Sequence, residues 1–346
     1  MNQHHHAVVV GINRYPALSD LTGARGDAEA FAGWLERPDG GALPASNIRR
    51  VMATEKEEAS FRDSAVATPV REQIEDAIAA SAEAAKLAFR VAPSVWDEGR
   101  LYLYVAGHGL APGGGEGALY LANAREGAGR HLELAEYRKW CTRCAFFREV
   151  IVFADCCRTR ESTVRALAPT LDECRSPLVD RQSTWVIGYG SGLGDPTYEN
   201  DSRGYFTAAL LEGFDNAKAD ETGAVTAATL GPYVKTAVAN ATKGLSHPQT
   251  AELFADAGAH VVFGEPSATR GVQRVTIAFP GGYAGRVELL SNGLELVGAH
   301  DAATGPWSLP LEKGLYEIAP CAGEPETAFA DHGLFRVIGG DENVQL

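Results

Sequence analysis

The chain has 346 residues, 45% hydrophobic and 22% charged, and carries a net charge of −14. That length allows one large domain or two ordinary ones, and the composition excludes a fibrous or disordered chain. The acidic balance argues against a nucleic-acid binder, which needs clustered Lys and Arg for phosphates, and favours solubility and long-range attraction of basic substrates.

Taken in chain order, AVVVGI (7–12) predicts a strand and ARGDAEAFAGWLE (24–36) an amphipathic helix. The run His4-His5-His6 before them reads as a mobile or engineered terminus rather than a metal site. RRVMA (49–53) predicts a strand. Thr68 and Pro69 then offer an N-cap and a first-turn proline for a long helix to about residue 89. RLYLYVA (100–106) predicts another strand, followed by His108 in AGHGL and by APGGGEG (111–117), which reads as the most flexible piece of the region. A helix over 132–145 leads to a strand over 149–154, and STWVIGYG (183–190) is the next strand. Helices over 204–216 and 226–242 precede AHVVF (259–263). Strands alternating with helices imply an α/β fold, a mostly parallel sheet flanked by helices on both faces.

After residue 265 the pattern changes to short strand-like runs separated by Gly, Asn and Pro, which predicts a small all-β, sandwich-like domain. The expected division is 1–265 and 266–346. The first apolar run is only six residues long, no secretory signal is visible, and no stretch approaches the roughly 20 apolar residues that span a membrane. A cytoplasmic location is expected, with the six cysteines reduced. Cys141-Thr-Arg-Cys144 lacks the second pair of a zinc site and falls at a helix end, so two buried thiols are expected there.

The chemistry concentrates in VIVFADCCRTR (150–160), where a buried strand runs into an acid, two thiols and an arginine. A thiolate is the strongest nucleophile among side chains, and it needs a histidine base and donors for an oxyanion. In a parallel sheet, the strands over 100–106 and 149–154 deliver His108 and the cysteines to one carboxyl edge. Cys157 follows His108 by 49 residues, close to the roughly 50 residues between His and Cys in caspases.

VVVGINRYP…LTGARGDAEAF, LYVAGHG, VIVFADCCR and GYFTAALLEGF together resemble the caspase-like cysteine peptidases, and more closely bacterial relatives of metacaspases. The resemblance spans about residues 6–264, and it departs from the usual Asp-Ser-Cys-His-Ser-Gly where this chain has Asp155-Cys156-Cys157-Arg158-Thr159-Arg160. It implies a Cys157–His108 dyad, with backbone N–H groups of Gly109 and Cys157 as the oxyanion hole and Cys156 pointing into the fold. It also implies that Asp27 and Asp155 bind a P1 Arg, or Lys second, since two carboxylates in one pocket need a cation. Trp185, Gly188 and Tyr189 are expected beside the substrate strand, and Glu199 and Asp201 near the cleft.

The segment 158–183 matches the linker between caspase subunits. Its arginines, Arg158, Arg160, Arg165, Arg175 and Arg181, suit self-cleavage or activation by an upstream protease, although an irregular solvated loop accounts for them equally. The implied partners are protein or peptide substrates with P1 Arg or Lys, and no nucleic acid or membrane is expected. The implied setting is bacterial stress or antiphage defence, as a monomer. Calcium activates some metacaspases, but no EF-hand spacing is present and no cofactor is expected. A catalytically idle caspase-like scaffold is the alternative. The β-domain is either a partner-binding or a passive module.

Overall fold

The computed structural model describes residues 1–53, 64–125, 130–171, 181–199, 203–220, 222–264, 273–291, 295–321, 329, 333–337 and 342–346. In chain order the elements begin with β1 (His5–Gly11), α1 (Ala24–Glu36), β2 (Ile48–Met52), α2 (Arg71–Val91), β3 (Arg100–Ala106), β4 (Gly109–Gly113), β5 (Ala118–Tyr120) and β6 (His131–Glu133). Next come α3 (Leu134–Cys144), β7 (Glu149–Asp155), β8 (Arg160–Arg165), β9 (Thr184–Tyr189), α4 (Tyr205–Asn216), β10 (Val225–Thr226), α5 (Ala227–Ala241), β11 (Glu252–Ala255) and β12 (Val262–Phe263). The series closes with β13 (Gln273–Ala278), β14 (Arg286–Ser291), β15 (Leu296–Asp301), β16 (Trp307–Leu311), β17 (Gly314–Pro320), β18 (Leu334–Val337) and β19 (Glu342–Gln345). Two compact units emerge, Met1–Leu211 with Val238–Val261, and Glu212–Ala237 with Val262–Leu346. The boundary expected near residue 266 lies outside the described residues.

The first unit is an α/β structure, as its alternating pattern predicts. Its sheet runs β11-β9-β7-β3-β1-β2, parallel throughout except for β11, which pairs antiparallel with β9. Both faces are buried, because side chains alternate along each strand. Leu101, Leu103 and Val105 of β3 enter one core with Ile74 and Ile78 of α2 and Tyr137 and Trp140 of α3. Tyr102 and Tyr104 point the other way, where Phe31 of α1 stacks on Tyr104 at 4.5 Å and meets Phe153 of β7 edge-on at 6.0 Å. Such aromatic pairs add about 0.5–1.5 kcal/mol each beyond the area they bury.

A small sheet, β6-β5-β4-β8, extends the unit past the ends of β3 and β7. The flexible loop expected at 111–117 is held down instead. The N–H groups of Glu116 and Gly117 both donate to Glu133 Oε1, at 3.1 and 3.4 Å, and Arg158 Nε donates to the Glu116 carbonyl at 2.7 Å. The long helix also starts later than expected: Val70, not Thr68, is its N-cap, with its N–H satisfied by Gln73 Oε1 at 3.0 Å.

In the second unit β16-β13-β19 and β15-β14-β17-β18 form two sheets. Val275 and Ile277 of one share a core with Val287, Leu289 and Ile318 of the other. This is the all-β arrangement expected of the C-terminal sequence.

Two further expectations fail. Cys144 is disulfide-bonded, so only Cys141 of the CxxC pair is a buried thiol. His5 and His6 are not a mobile terminus, because they begin β1 beside β3 and contact the rings of Tyr102 and Phe147. Burial, helped by Arg100 near His5 and Arg49 near His6, lowers their pKa values to about 3 and about 4. The unfolded chain therefore takes up protons below about pH 6.5 that the folded chain refuses, and stability falls as pH drops through that window. The double variant His5→Gln/His6→Gln should lose less stability than wild type between pH 7 and pH 4.5. Urea denaturation at both pH values measures this, and equal losses would refute it.

Candidate active site

The site is assembled by strand register. Gly11 of β1, Ala106 of β3 and Asp155 of β7 lie side by side at the carboxyl edge. The sheet order reverses about β1 and β3, and the crevice outside such a switch point is the usual ligand position in an open α/β sheet. Two residues past Ala106 comes His108, two past Asp155 comes Cys157, and α1, which follows β1, carries Asp27. All three line one cavity of about 130 Å³, together with Asp155, Thr197, Glu199 and Gly204.

Gly109 brings the backbones that follow β3 and β7 together. A Cβ there would collide with the Cys157 carbonyl oxygen and with Cys156 Cβ, so no larger residue allows this approach. His108 is oriented from two sides. Its backbone N–H donates to Tyr15 Oη at 3.0 Å, and its Nε2 lies 2.7 Å from the Ser19 carbonyl oxygen. A carbonyl oxygen only accepts, so Nε2 carries the proton and Nδ1 is left as the basic nitrogen.

Cys157 is partly exposed, whereas Cys156 is fully buried beside it, and burial pushes the Cys156 thiol far above its ordinary range. The Cys157 sulfur is held by Thr197, whose N–H donates to Sγ at 3.2 Å and whose Oγ1 lies 3.4 Å away. Among the described residues no hydrogen bond links it to His108.

The two aspartates are buried within the same cavity. Asp155 Oδ2 accepts from the Thr207 N–H at 3.0 Å and from its Oγ1 at 2.6 Å. Asp27 Oδ2 accepts from the Gly204 N–H at 2.9 Å, while Oδ1 is buried and, among the described residues, accepts no hydrogen bond. Gly204 is confined too, since a Cβ there would overlap the Asp155 carboxylate. Burial raises the pKa of Asp27 to about 8, with the neighbouring Asp155 charge second, and burial likewise raises Asp155 to about 6. Glu199 completes the acidic wall. It accepts from the Thr22 and Gly23 N–H groups at 3.0 and 2.8 Å, capping the N-terminus of α1 where an acid is electrostatically favoured.

The remaining expected site residues fall elsewhere. Trp185 pairs with Val150 at the opposite end of the sheet and lies under the Arg138 guanidinium at 3.9 Å. Gly188 packs between Phe153 and Leu253, and Tyr189 is wholly buried. None of the three lines the cavity. Arg158 is not a solvated loop arginine either. It is 3% exposed, lies over the Tyr189 ring at 4.0 Å, and pairs with Glu252 at 2.5 Å. Arg160 and Arg165 are exposed on β8, which pairs with β4. Arg181 stacks on Trp96 at 4.8 Å and approaches Asp97 at 3.4 Å. Arg175 and Asp201 lie outside the described residues. Thr197, Gly204, Thr207 and Ser19 escaped the sequence reading. Only Gly204 and Thr207 carry a sequence signal, as the start of GYFTAALLEGF.

No family model matches the sequence, and no curated protein matches it. Among solved structures, the chain is similar to caspase-1 from Spodoptera frugiperda, at 17% identity and a TM-score of 0.48, over 77% of this chain and 92% of that one. It is also similar to a protein from Geobacter sulfurreducens, at 14% identity and a TM-score of 0.43, over 72% of this chain and 92% of that one.

Iodoacetamide applied to the folded protein should label Cys157 and the partly exposed Cys321, leaving buried Cys141 and Cys156 unmodified. Peptide mass mapping checks this, and labelling of Cys156 ahead of Cys157 would contradict the assignment.

Proposed function

We propose that the protein is a cysteine endopeptidase that cleaves after basic residues, Arg in preference to Lys. The observation that carries this is the pair of buried carboxylates, Asp27 and Asp155, in the same cavity as Cys157 and His108. Two acids that resist ionisation because of burial and mutual repulsion are poised for a cation, and a guanidinium with its planar fork of donors meets both. That the Asp27 Oδ1 accepts no hydrogen bond among the described residues adds support, since it offers a place for one of those donors.

In this mechanism His108 Nδ1 takes the Cys157 proton, and the thiolate attacks the scissile carbonyl carbon. The oxyanion is received by the backbone N–H groups of Gly109 and Cys157. His108 then gives its proton to the leaving amine as the C–N bond breaks, and water hydrolyses the thioester, releasing the acid and the free thiol. Ser19 holds the histidine in the tautomer this requires, as the third member of a nucleophile–base–orienter set.

Fluorogenic peptides ending in Arg, Lys, Asp or Ala test the proposal. Arg should be cleaved fastest, and Cys157→Ala should abolish turnover. Asp27→Asn should raise KM for the Arg peptide by about tenfold or more, the loss of one charge-assisted hydrogen bond. Cleavage after Asp would sink the acidic pocket, and absence of turnover by any form of the protein would favour the idle scaffold. KM for the Arg peptide should also fall as pH rises from 6 to 8, because the two carboxyls lose their protons across that window.

Activation by cleavage in 158–183 belongs to the same proposal, and burial restricts where it happens. Arg160 and Arg165 are exposed on the edge strand β8, whereas Arg158 is enclosed. Brief trypsin treatment should cut after Arg160 or Arg165 and spare Arg158. Early cleavage after Arg158, read by N-terminal sequencing of the fragments, would contradict this.

A further inference from the structure

The acidic cavity already has a cation beside it. Arg203 Nε lies 3.8 Å from Asp27 Oδ1, the buried oxygen that accepts no hydrogen bond among the described residues. That distance is within ion-pair range but beyond hydrogen-bond reach. The Asp27 side chain is 3% exposed and the Arg203 side chain 43%, so an enclosed acid faces a guanidinium with one side in solvent. Arg203 cannot drift away. The next residue, Gly204, donates its N–H to Asp27 Oδ2 at 2.9 Å and packs against the Asp155 carboxylate. A Cβ on Gly23, at the start of α1, would also lie only 3.4 Å from the Arg203 Cα. The backbone thus fixes Arg203 at the cavity, with its half-exposed side chain turned to Asp27.

An incoming P1 arginine presents the same chemical group to the same oxygen. Asp27 Oδ1 cannot fully serve both, and two guanidinium groups at this range repel one another. A tethered group competes at the high effective concentration that short linkage confers.

We infer that Arg203 is a specificity-determining residue, a tethered guanidinium that a basic substrate side chain must displace from Asp27. This rests on the reading of the cavity as a pocket for basic residues. Arg203 then sets how strongly the cavity discriminates cationic from neutral side chains. With Arg203 present, part of the attraction of Asp27, Asp155 and Glu199 is already used, and its removal leaves those acids to the ligand.

Agmatine, a guanidinium without a scissile bond, isolates this step from catalysis. Its binding is measured by calorimetry at pH 8 and low salt to the full chain carrying Cys157→Ala, alone and combined with Arg203→Gln, Arg203→Ala or Arg203→Lys. The Gln and Ala variants should bind agmatine about three- to fivefold more tightly, the size of a partly exposed ion pair. The Lys variant, which keeps the charge, should stay near the parent. Melting temperatures within a few degrees of the parent would confirm that the half-exposed position is not structural. Unchanged or weaker binding by both neutral variants, with the parent still binding agmatine, would overturn the role of Arg203 and leave the pocket standing. If neither the parent nor the neutral variants bind agmatine, the pocket itself falls, and the competitor with it.

Discussion

Everything at the site follows from the in-register pairing of three parallel strands. Gly11, Ala106 and Asp155 stand abreast, and the backbone hydrogen bonds from Ile12 N to Ala106 O and from Gly107 N to Asp155 O carry that register past the last sheet residues. His108 and Cys157 are each two residues beyond the edge, so their separation is fixed by the ladder and not by loop conformation. A slip of one residue would turn the side chains of a whole strand to the opposite face. Both faces of this sheet are filled, with tyrosines and Phe31 on one side and aliphatic chains on the other, so a slip would misplace both packings at once.

The acids are the destabilising part of this design. Burying Asp155 and Asp27 opposes their ionisation, and their closeness opposes it further. Thr207, Gly204 and Arg203 offset part of that cost from a single stretch of chain after β9. The same stretch supplies Thr197 to the Cys157 sulfur and Glu199 to the first turn of α1. Cys157, the acid pair and the end of α1 are therefore tied to one another through this one segment. The acid pair and the Cys157 sulfur share their supports, and change at one is felt at the other.

Much of the scaffold was legible because buried parallel strands write themselves as apolar runs, as in VIVFA and RLYLYVA. His108, Cys157 and Asp155 could be placed because they end such runs. The small sheet of β4, β5, β6 and β8 was not legible, since its strands hold Gly, Pro and charged residues whose pairing partners are far along the chain. His5 and His6 were misread because a polar residue at a strand start looks like a tail until its neighbours, Tyr102 and Phe147, are known. Trp185 failed for a directional reason: it begins β9, while the cavity lies where that strand ends. Arg158 failed because its ion pair and aromatic stacking join residues from three distant segments. Thr197 and Arg203 lie in irregular chain with no periodicity to mark them.

Glu199 reaches back 176 positions to close the first turn of α1, and Gly204 reaches back 177 to Asp27. A ribosome makes those residues in order, so the helix bearing Asp27 leaves the tunnel long before anything that completes its surroundings. Until the segment after β9 has been synthesised, Asp27 is an ordinary hydrated acid and Cys157 lacks its Thr197 partner. The enclosed pair of acids is a feature that only the nearly finished polypeptide possesses. A truncated or stalled chain would carry Cys157 and Asp155 without the Thr197 and Thr207 contacts that hold them in the complete fold.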